Sequence, residues 1–224
     1  MIFIKKSNLV IIVYNNSKIT IQVYYWKKRS FLARIYFLIG GARSGKSSYG
    51  EELAKSLSGR VAYIATSKIT DEEMEERITR HRKRRPKNWK TYEIADKNID
   101  EQGIKKIIKS ISKENINTVI IDCITNLLFK IIYDYKLDSI KIIRNEVERA
   151  AKKEVISFFK SLLEELRESK LNVIIISNEI GLGVVPAFPL GRIFRDLMGI
   201  VNKNIAEVSD EVYLFIAGLK QRLK

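Results

Sequence analysis

Ile35-Tyr36-Phe37-Leu38-Ile39 runs directly into Gly40-Gly41-Ala42-Arg43-Ser44-Gly45-Lys46-Ser47. The first stretch is a continuous apolar run of strand type. The second matches G-x-x-x-x-G-K-S/T, a phosphate-binding loop, in the strand-to-helix setting that gives the pattern its meaning. Its glycines let backbone N–H groups curl around a phosphate without a Cβ in the way. Lys46 supplies a cation for the β- and γ-phosphates, and the Ser47 hydroxyl is placed to ligate Mg²⁺. A helix opening near Gly45 points its positive dipole end at the same anion. The loop identifies a chain that binds a nucleoside triphosphate.

Outward from this loop the chain repeats one pattern. Apolar β-type runs at 35–40, 61–65, 118–122, 173–177 and 212–217 alternate with helical stretches at 46–57, 71–84, 99–112, 145–168 and about 190–206. Continuous apolar strands separated by helices predict an α/β fold of the P-loop, RecA-like kind, with a mostly parallel sheet covered by helices on both faces. The stretch 130–144 reads as a variable loop or helical excursion. At 224 residues, with 46% hydrophobic and 30% charged residues, the chain has enough apolar content for a substantial core. The lone cysteine, Cys123, excludes an internal disulfide and is compatible with a cytoplasmic protein. No apolar run approaches the ~20 residues of a membrane span.

Residues 1–34 stand apart from 35–224. Leu9–Tyr14 and Ile19–Trp26 are β-prone runs flanking Asn15-Asn16-Ser17-Lys18, which reads as a hairpin. This stretch is expected to be a peripheral extension, or translated upstream sequence from a mis-assigned start. It also carries much of the net charge. Of the +15 total, seven positive charges fall in the first 34 residues, which contain no acid. A second concentration, Arg77 to Lys90, holds eight basic residues and no carboxylate. Basic clusters serve nucleic acids, membrane surfaces or phosphorylated small molecules; concentration near a phosphate loop favours the last.

That second cluster surrounds the single histidine, His81. Thr70-Asp71-Glu72-Glu73 is a capping-box start, so Met74, Ile78 and His81 fall on one face of the helix that follows. On spacing alone this is a packing stripe ending in a histidine. Yet Arg80, Arg82, Lys83, Arg84 and Arg85 flank the ring. A cationic field disfavours imidazolium and keeps the nucleophilic form, and the same cations would bind a triphosphate. Asp122 ends a buried strand and suits the acidic position that holds Mg²⁺ through water, with Glu179 as competitor. Glu93, after Trp89 and Tyr92, is placed to accept hydrogen bonds from a base edge. The loop Asn178 to Pro186 is too glycine-rich and apolar for an ordinary connection and leaves a strand at its carboxyl end, where open α/β sheets bind ligands.

Taken in order, these residues resemble the bifunctional adenosylcobinamide kinase / adenosylcobinamide-phosphate guanylyltransferase family of cobalamin biosynthesis. The resemblance rests on Gly40–Ser47, Tyr63-Ile64-Ala65-Thr66-Ser67, Arg77-Ile78 to His81 with Arg85-Pro86 and Trp89, Asn178–Pro186, Gly191–Leu197, Asn202 and Asp210-Glu211-Val212. It implies two reactions. One phosphorylates the aminopropanol hydroxyl of adenosylcobinamide with ATP or GTP. The other moves GMP from GTP onto that phosphate through a guanylylated histidine, releasing pyrophosphate. By motif position that histidine is His81, with Lys46 as the other catalytic group. Nucleotide contacts carry over onto Gly40 to Ser47, Ala65, Thr66, Ser67, Arg82, Lys83, Arg84, Arg85, Glu93 and Asp122. Mg²⁺ would sit on Ser47 and Asp122. The family resemblance further implies a cytoplasmic homotrimer that uses no nucleic acid. Two positions depart from the family pattern: Arg80 stands where members often carry a second histidine, and Asp122 where glutamate is common. Two other readings of the same residues are a nucleic-acid-dependent RecA-like ATPase and a kinase whose His81 is structural. The corrinoid was expected near the loop 178–186, with Arg192 and Arg195 as phosphate partners.

Overall fold

The computed structural model describes residues 11–15, 18–22, 33–57, 59–67, 72–94, 101–134 and 145–224. Two compact units result, Met1–Leu32 and Ala33–Lys224. In the first, β1 (Ile11–Asn15) and β2 (Lys18–Gln22) pair antiparallel, from Ile11 opposite Gln22 to Asn15 opposite Lys18. The outer residues of the two apolar runs lie outside the described ones.

The second unit is built on β3 (Arg34–Gly40), β4 (Val61–Ala65), β5 (Lys90–Glu93), β6 (Thr118–Asp122), β7 (Asn172–Asn178), β8 (Glu211–Ile216) and β9 (Leu219–Arg222). They form a 7-stranded sheet in the order β5-β4-β6-β7-β3-β8-β9. All neighbours are parallel except β8 and β9. The two strands without a sequence signal are the outermost: β5 (KTYE) and β9 (LKQR) carry little apolar residue because each has a single strand neighbour.

Alternation along the strands divides the core in two. Ile35, Phe37, Ala62, Ile64, Val119, Ile121, Val173 and Ile175 pack with α3 (Glu101–Lys113), α4 (Ile124–Asp134), α5 (Asn145–Glu168) and α6 (Pro189–Val208). Tyr36, Leu38, Tyr63, Ile120, Ile174 and Ile176 face the other way and pack with α1 (Lys46–Ser56). The helix α4 begins six residues before the excursion expected over 130–144, of which 135–144 lie outside the described residues. Its Ile124, Leu127, Leu128, Ile131 and Ile132 are buried at helical spacing, which a short link after a strand concealed.

Parallel pairing has one consequence for function. The register sets Glu93 beside Ala65, Ala65 beside Asp122, and Asn178 beside Gly40, all at the carboxyl edge of the sheet. Groups separated by more than a hundred residues are thereby lined up on one rim.

Candidate active site

The phosphate loop occupies the centre of that rim. The strand before it is buried on both faces, so the chain has no freedom until Gly40. A methyl at Gly40 would collide with the Phe215 carbonyl of the neighbouring strand. Gly45, the residue before α1, has φ of 97°, a left-handed conformation that glycine adopts without penalty. Lys46 is 6% exposed; its Nζ donates to the Gly41 carbonyl at 2.5 Å and lies 3.4 Å from the Ser44 hydroxyl. A buried ammonium held inside its own loop is poised for an anion there.

Next to the loop lies a cavity of about 130 Å³, its walls formed by Ser47, Ala65, Ser67, Ile78, His81, Arg82, Arg85, Glu93 and Asp122, with Tyr63, Cys123, Asn126 and Asn178. Residues from β4, β6, β7, α1 and α2 (Glu72–Arg84) thus meet in one place. Ile78 and His81, one turn apart on α2, both face it; the stripe read from their spacing therefore lines a site. The side chain of Met74 and the capping residues Thr70 and Asp71 lie outside what the structure describes. The ring's surroundings are less uniformly cationic than the sequence implied, since Glu93 and Asp122 share the cavity.

The arginines have separate partners. Arg82 pairs with Glu93 at 2.6 Å, both about half exposed. Arg84 turns away, donating to the Ser48 hydroxyl at 2.8 Å and lying 3.4 Å from Glu51 Oε2. Arg85 stacks its guanidinium 3.7 Å from the Tyr63 ring centre, and its buried Nε and Nη1 have no hydrogen-bond partner. Donors held in the dry without an acceptor are costly unless an anion takes them. Lys83 is exposed and does not reach the cavity.

Tyr63 donates its hydroxyl to Asp122 Oδ2 at 2.5 Å. Burial, and then the adjacent Asp122 carboxylate, hold the phenol far above its usual range, so it remains a donor. Thr66 is structural: its hydroxyl donates to the Cys123 carbonyl and accepts from the Cys123 N–H. Burial pushes the Cys123 thiol up to about 11, which leaves it protonated and unreactive near neutrality. Asn126 donates to the Ser67 hydroxyl at 2.9 Å, which fixes the third residue of the Ala65-Thr66-Ser67 turn.

Glu179, the competitor for the acidic role, instead accepts the Gly181 N–H at 2.6 Å within its own loop. Asp122 and Ser47 both line the cavity. A hydroxyl and a carboxylate are hard oxygen donors suited to Mg²⁺. Among the described residues no group of three or more His, Cys, Asp or Glu could hold a metal, so an ion here would depend on phosphate oxygens. Arg192 and Arg195, expected to meet a substrate phosphate, are otherwise engaged. Arg192 donates to the Pro186 and Ala187 carbonyls and Arg195 pairs with Asp196. Asn202 bonds Ser177 and Asn178, and Asp210 accepts from Arg167 and the Ile35 N–H. Asn202 thus braces the carboxyl rim, and Asp210 the amino end of β3 at the opposite edge of the sheet.

Two further residues around the site carry a signal in the sequence. Tyr63 alternates inward on β4. Glu51 lies four residues after Ser47, at core-facing spacing on α1, where a carboxylate is anomalous.

A family model described as "Cobinamide kinase / cobinamide phosphate guanyltransferase" matches residues 36–223. The chain belongs to this family. It is 35% identical over 186 residues to the "Bifunctional adenosylcobalamin biosynthesis protein CobU" of Escherichia coli (strain K12), covering 83% of this chain and 97% of that protein. It is likewise 35% identical over 190 residues to the "Bifunctional adenosylcobalamin biosynthesis protein CobP" of Pseudomonas aeruginosa, covering 84% and 95%. A solved type III secretion system ATPase overlays with a TM-score of 0.52 at 11% identity, covering 87% of this chain and 59% of that one. That likeness shows the P-loop α/β fold alone. As a cobinamide kinase / cobinamide phosphate guanyltransferase, the protein is a transferase with nucleotide and cobinamide substrates. Among the described residues no helix is long and apolar enough to cross a membrane.

Proposed function

We propose that this family member phosphorylates adenosylcobinamide with ATP or GTP and then guanylylates the product through His81. The observation that carries the reading is that His81 and Ser47, the last residue of the phosphate loop, line one cavity with Glu93 and Asp122. Binding a triphosphate in the loop brings its phosphorus atoms to a nitrogen nucleophile. A ring nitrogen of neutral His81 attacks the α-phosphorus of GTP, the bond from that phosphorus to the bridging oxygen of the β-phosphate breaks, and pyrophosphate leaves. A phosphate oxygen of adenosylcobinamide phosphate then attacks the same phosphorus, the P–N bond breaks, and the histidine is regenerated. Lys46 and the unpartnered donors of Arg85 take up the charge that develops on the phosphates.

Ser47 and Asp122 are the residues that would hold Mg²⁺, which when bound would neutralise phosphate charge. In kinase mode the same loop presents the γ-phosphoryl to the substrate hydroxyl instead. Glu93, already paired with Arg82, is the group to accept from the guanine edge. For the corrinoid we favour the loop after β7. Leu182, Val184, Val185 and Phe188 are largely exposed there, and an apolar macrocycle needs such a face. Arg192 fastens that loop rather than binding phosphate. We further propose that the working form is a cytoplasmic homotrimer and that the extension read as 1–34 is dispensable as far as Leu32, because Ala33 and Arg34 belong to the catalytic unit.

The test is incubation of the full chain with α-labelled GTP and Mg²⁺. An acid-labile, alkali-stable label that is absent from His81→Ala supports the reading. Tight GTP binding by folded wild type without any label would leave a kinase only.

A further inference from the structure

We propose that Glu51 is a positioning residue: with Ser48 it forms a polar catch for Arg84 that seats the end of α2, and with it His81, against the helix following the phosphate loop. The inference rests on the reading of His81 as the guanylylated group.

Three observations converge. First, none of the described side chains of α2 is buried, and those of its last turn are tied down by polar contacts. Second, those ties lie on both sides of His81: Arg82 to Glu93 of β5, and Arg84 to Ser48 and Glu51 of α1. Arg84 is the last residue of α2 and stands three residues after the histidine, within one turn, so fixing it fixes the nucleophile's distance from the loop. Third, Glu51 is an odd residue to bury. It is 3% exposed, Arg84 is its one ion-pair partner on α2, and its Oε1 has no hydrogen-bond partner. A carboxylate kept there at such a cost needs a return outside stability, and the contact to the nucleophile-bearing helix supplies one. Exposed Arg82 and Glu93 make a weaker, solvent-screened tie. The Glu51 side is therefore the one that holds.

Glu51 and Arg84 touch no reacting atom, so their loss should spare nucleotide affinity and slow the chemistry. The experiment compares wild type, E51Q, R84A, R84K and the double variant E51Q/R84A as full chains. Hydrogen–deuterium exchange of 72–84 reads the seating of α2 without any reaction. Label transfer from α-labelled GTP reads its consequence, and the GTP dissociation constant is measured alongside. The expected result is faster exchange over 72–84 in both single variants. Labelling slows about tenfold, at a dissociation constant within about twofold of wild type. The double variant behaves like either single one, because one contact is lost once. R84K, which keeps a cation in reach, recovers part of the rate. If E51Q does not fold, R84A, altered on the exposed side, carries the same test. Unchanged exchange in R84A, or a double variant in which the two losses add, overturns the catch. Absence of label on wild type overturns transfer through His81 instead, and the exchange comparison still decides the contact.

Discussion

The phosphate loop and the histidine helix form two walls of one cavity, and they are held by opposite means. The loop is fixed by backbone: a strand buried on both faces delivers it, adjacent β8 crowds Gly40, and Lys46 is buried within it. The end of α2 is fixed by polar side chains, all charged but Ser48 and none fully buried except Glu51. Rigid backbone suits a group that must present amides to phosphate the same way every turnover. Side-chain ties suit an element that has to approach a nucleotide, transfer a group and let product go. Chemistry should therefore be lost most steeply by removing groups, and stability only by disturbing the loop.

The widest gap is expected at the two catalytic positions. His81→Ala should abolish labelling from α-labelled GTP while leaving the melting temperature unaltered, because its helix contributes no buried described side chain. Lys46→Ala should slow labelling by on the order of 10²–10³, since it removes the cation that meets the triphosphate. A His81→Ala protein that melts well below wild type would show α2 to be part of the core and erase the contrast.

The arginines sharpen it further. Arg85→Ala should cost about 10² in labelling rate and Arg82→Ala only a few-fold. Arg85 keeps two buried donors without partners, whereas Arg82 is already neutralised by Glu93. Single-turnover rates at saturating GTP separate them. Equal losses would mean that the basic run acts as a diffuse field, as its composition alone implied.

This difference also explains what could be read in advance. The strand-loop-helix unit is legible because backbone constraints leave residue-type signatures: apolar runs where strands are covered on both faces, glycines where a Cβ would collide. His81 was legible because a lone histidine among arginines is chemically unusual. The pairing of those arginines was not. A run such as Arg82-Lys83-Arg84-Arg85 carries no information on which head group meets Glu93, Glu51 or the Tyr63 ring, since that depends on where α1 and β5 lie in space. The strands β5 and β9 were missed for a related reason. At the edges of the sheet, burial no longer demands apolar residues, so pattern disappears while hydrogen bonding persists.

Gly40→Ala probes the loop wall. The added methyl meets the Phe215 carbonyl and Cβ, backbone that cannot step aside. A loss of about 2 kcal/mol in urea unfolding is expected, against a smaller loss for Arg84→Ala, whose guanidinium is half exposed. An unaffected Gly40→Ala would show that the rim yields, and the backbone half of the comparison would fall.

The smallest effect is the most discriminating, because it sets stability and function in opposite directions. Burial raises the Glu51 carboxyl above the ordinary range; Arg84 and Lys55 pull it back, and Asp122 adds to the rise. The native state therefore holds this proton more tightly than the unfolded chain. Stability contributed by the protonated form is present below the ordinary carboxylate value, about 4.3, and is lost as pH rises through the raised native value. Above that raised value wild type carries an ionised, buried carboxylate, and Glu51→Gln does not. The difference in unfolding free energy, Gln variant minus wild type, should grow as pH rises through that window and then level off. Paired unfolding curves across the pH series isolate it, since every other titrating group is common to both proteins. Should the difference shrink with rising pH, the attraction of Arg84 outweighs desolvation, and Glu51 holds the fold together. If it grows while labelling slows, the carboxylate is kept at the expense of stability for the sake of the helix it catches.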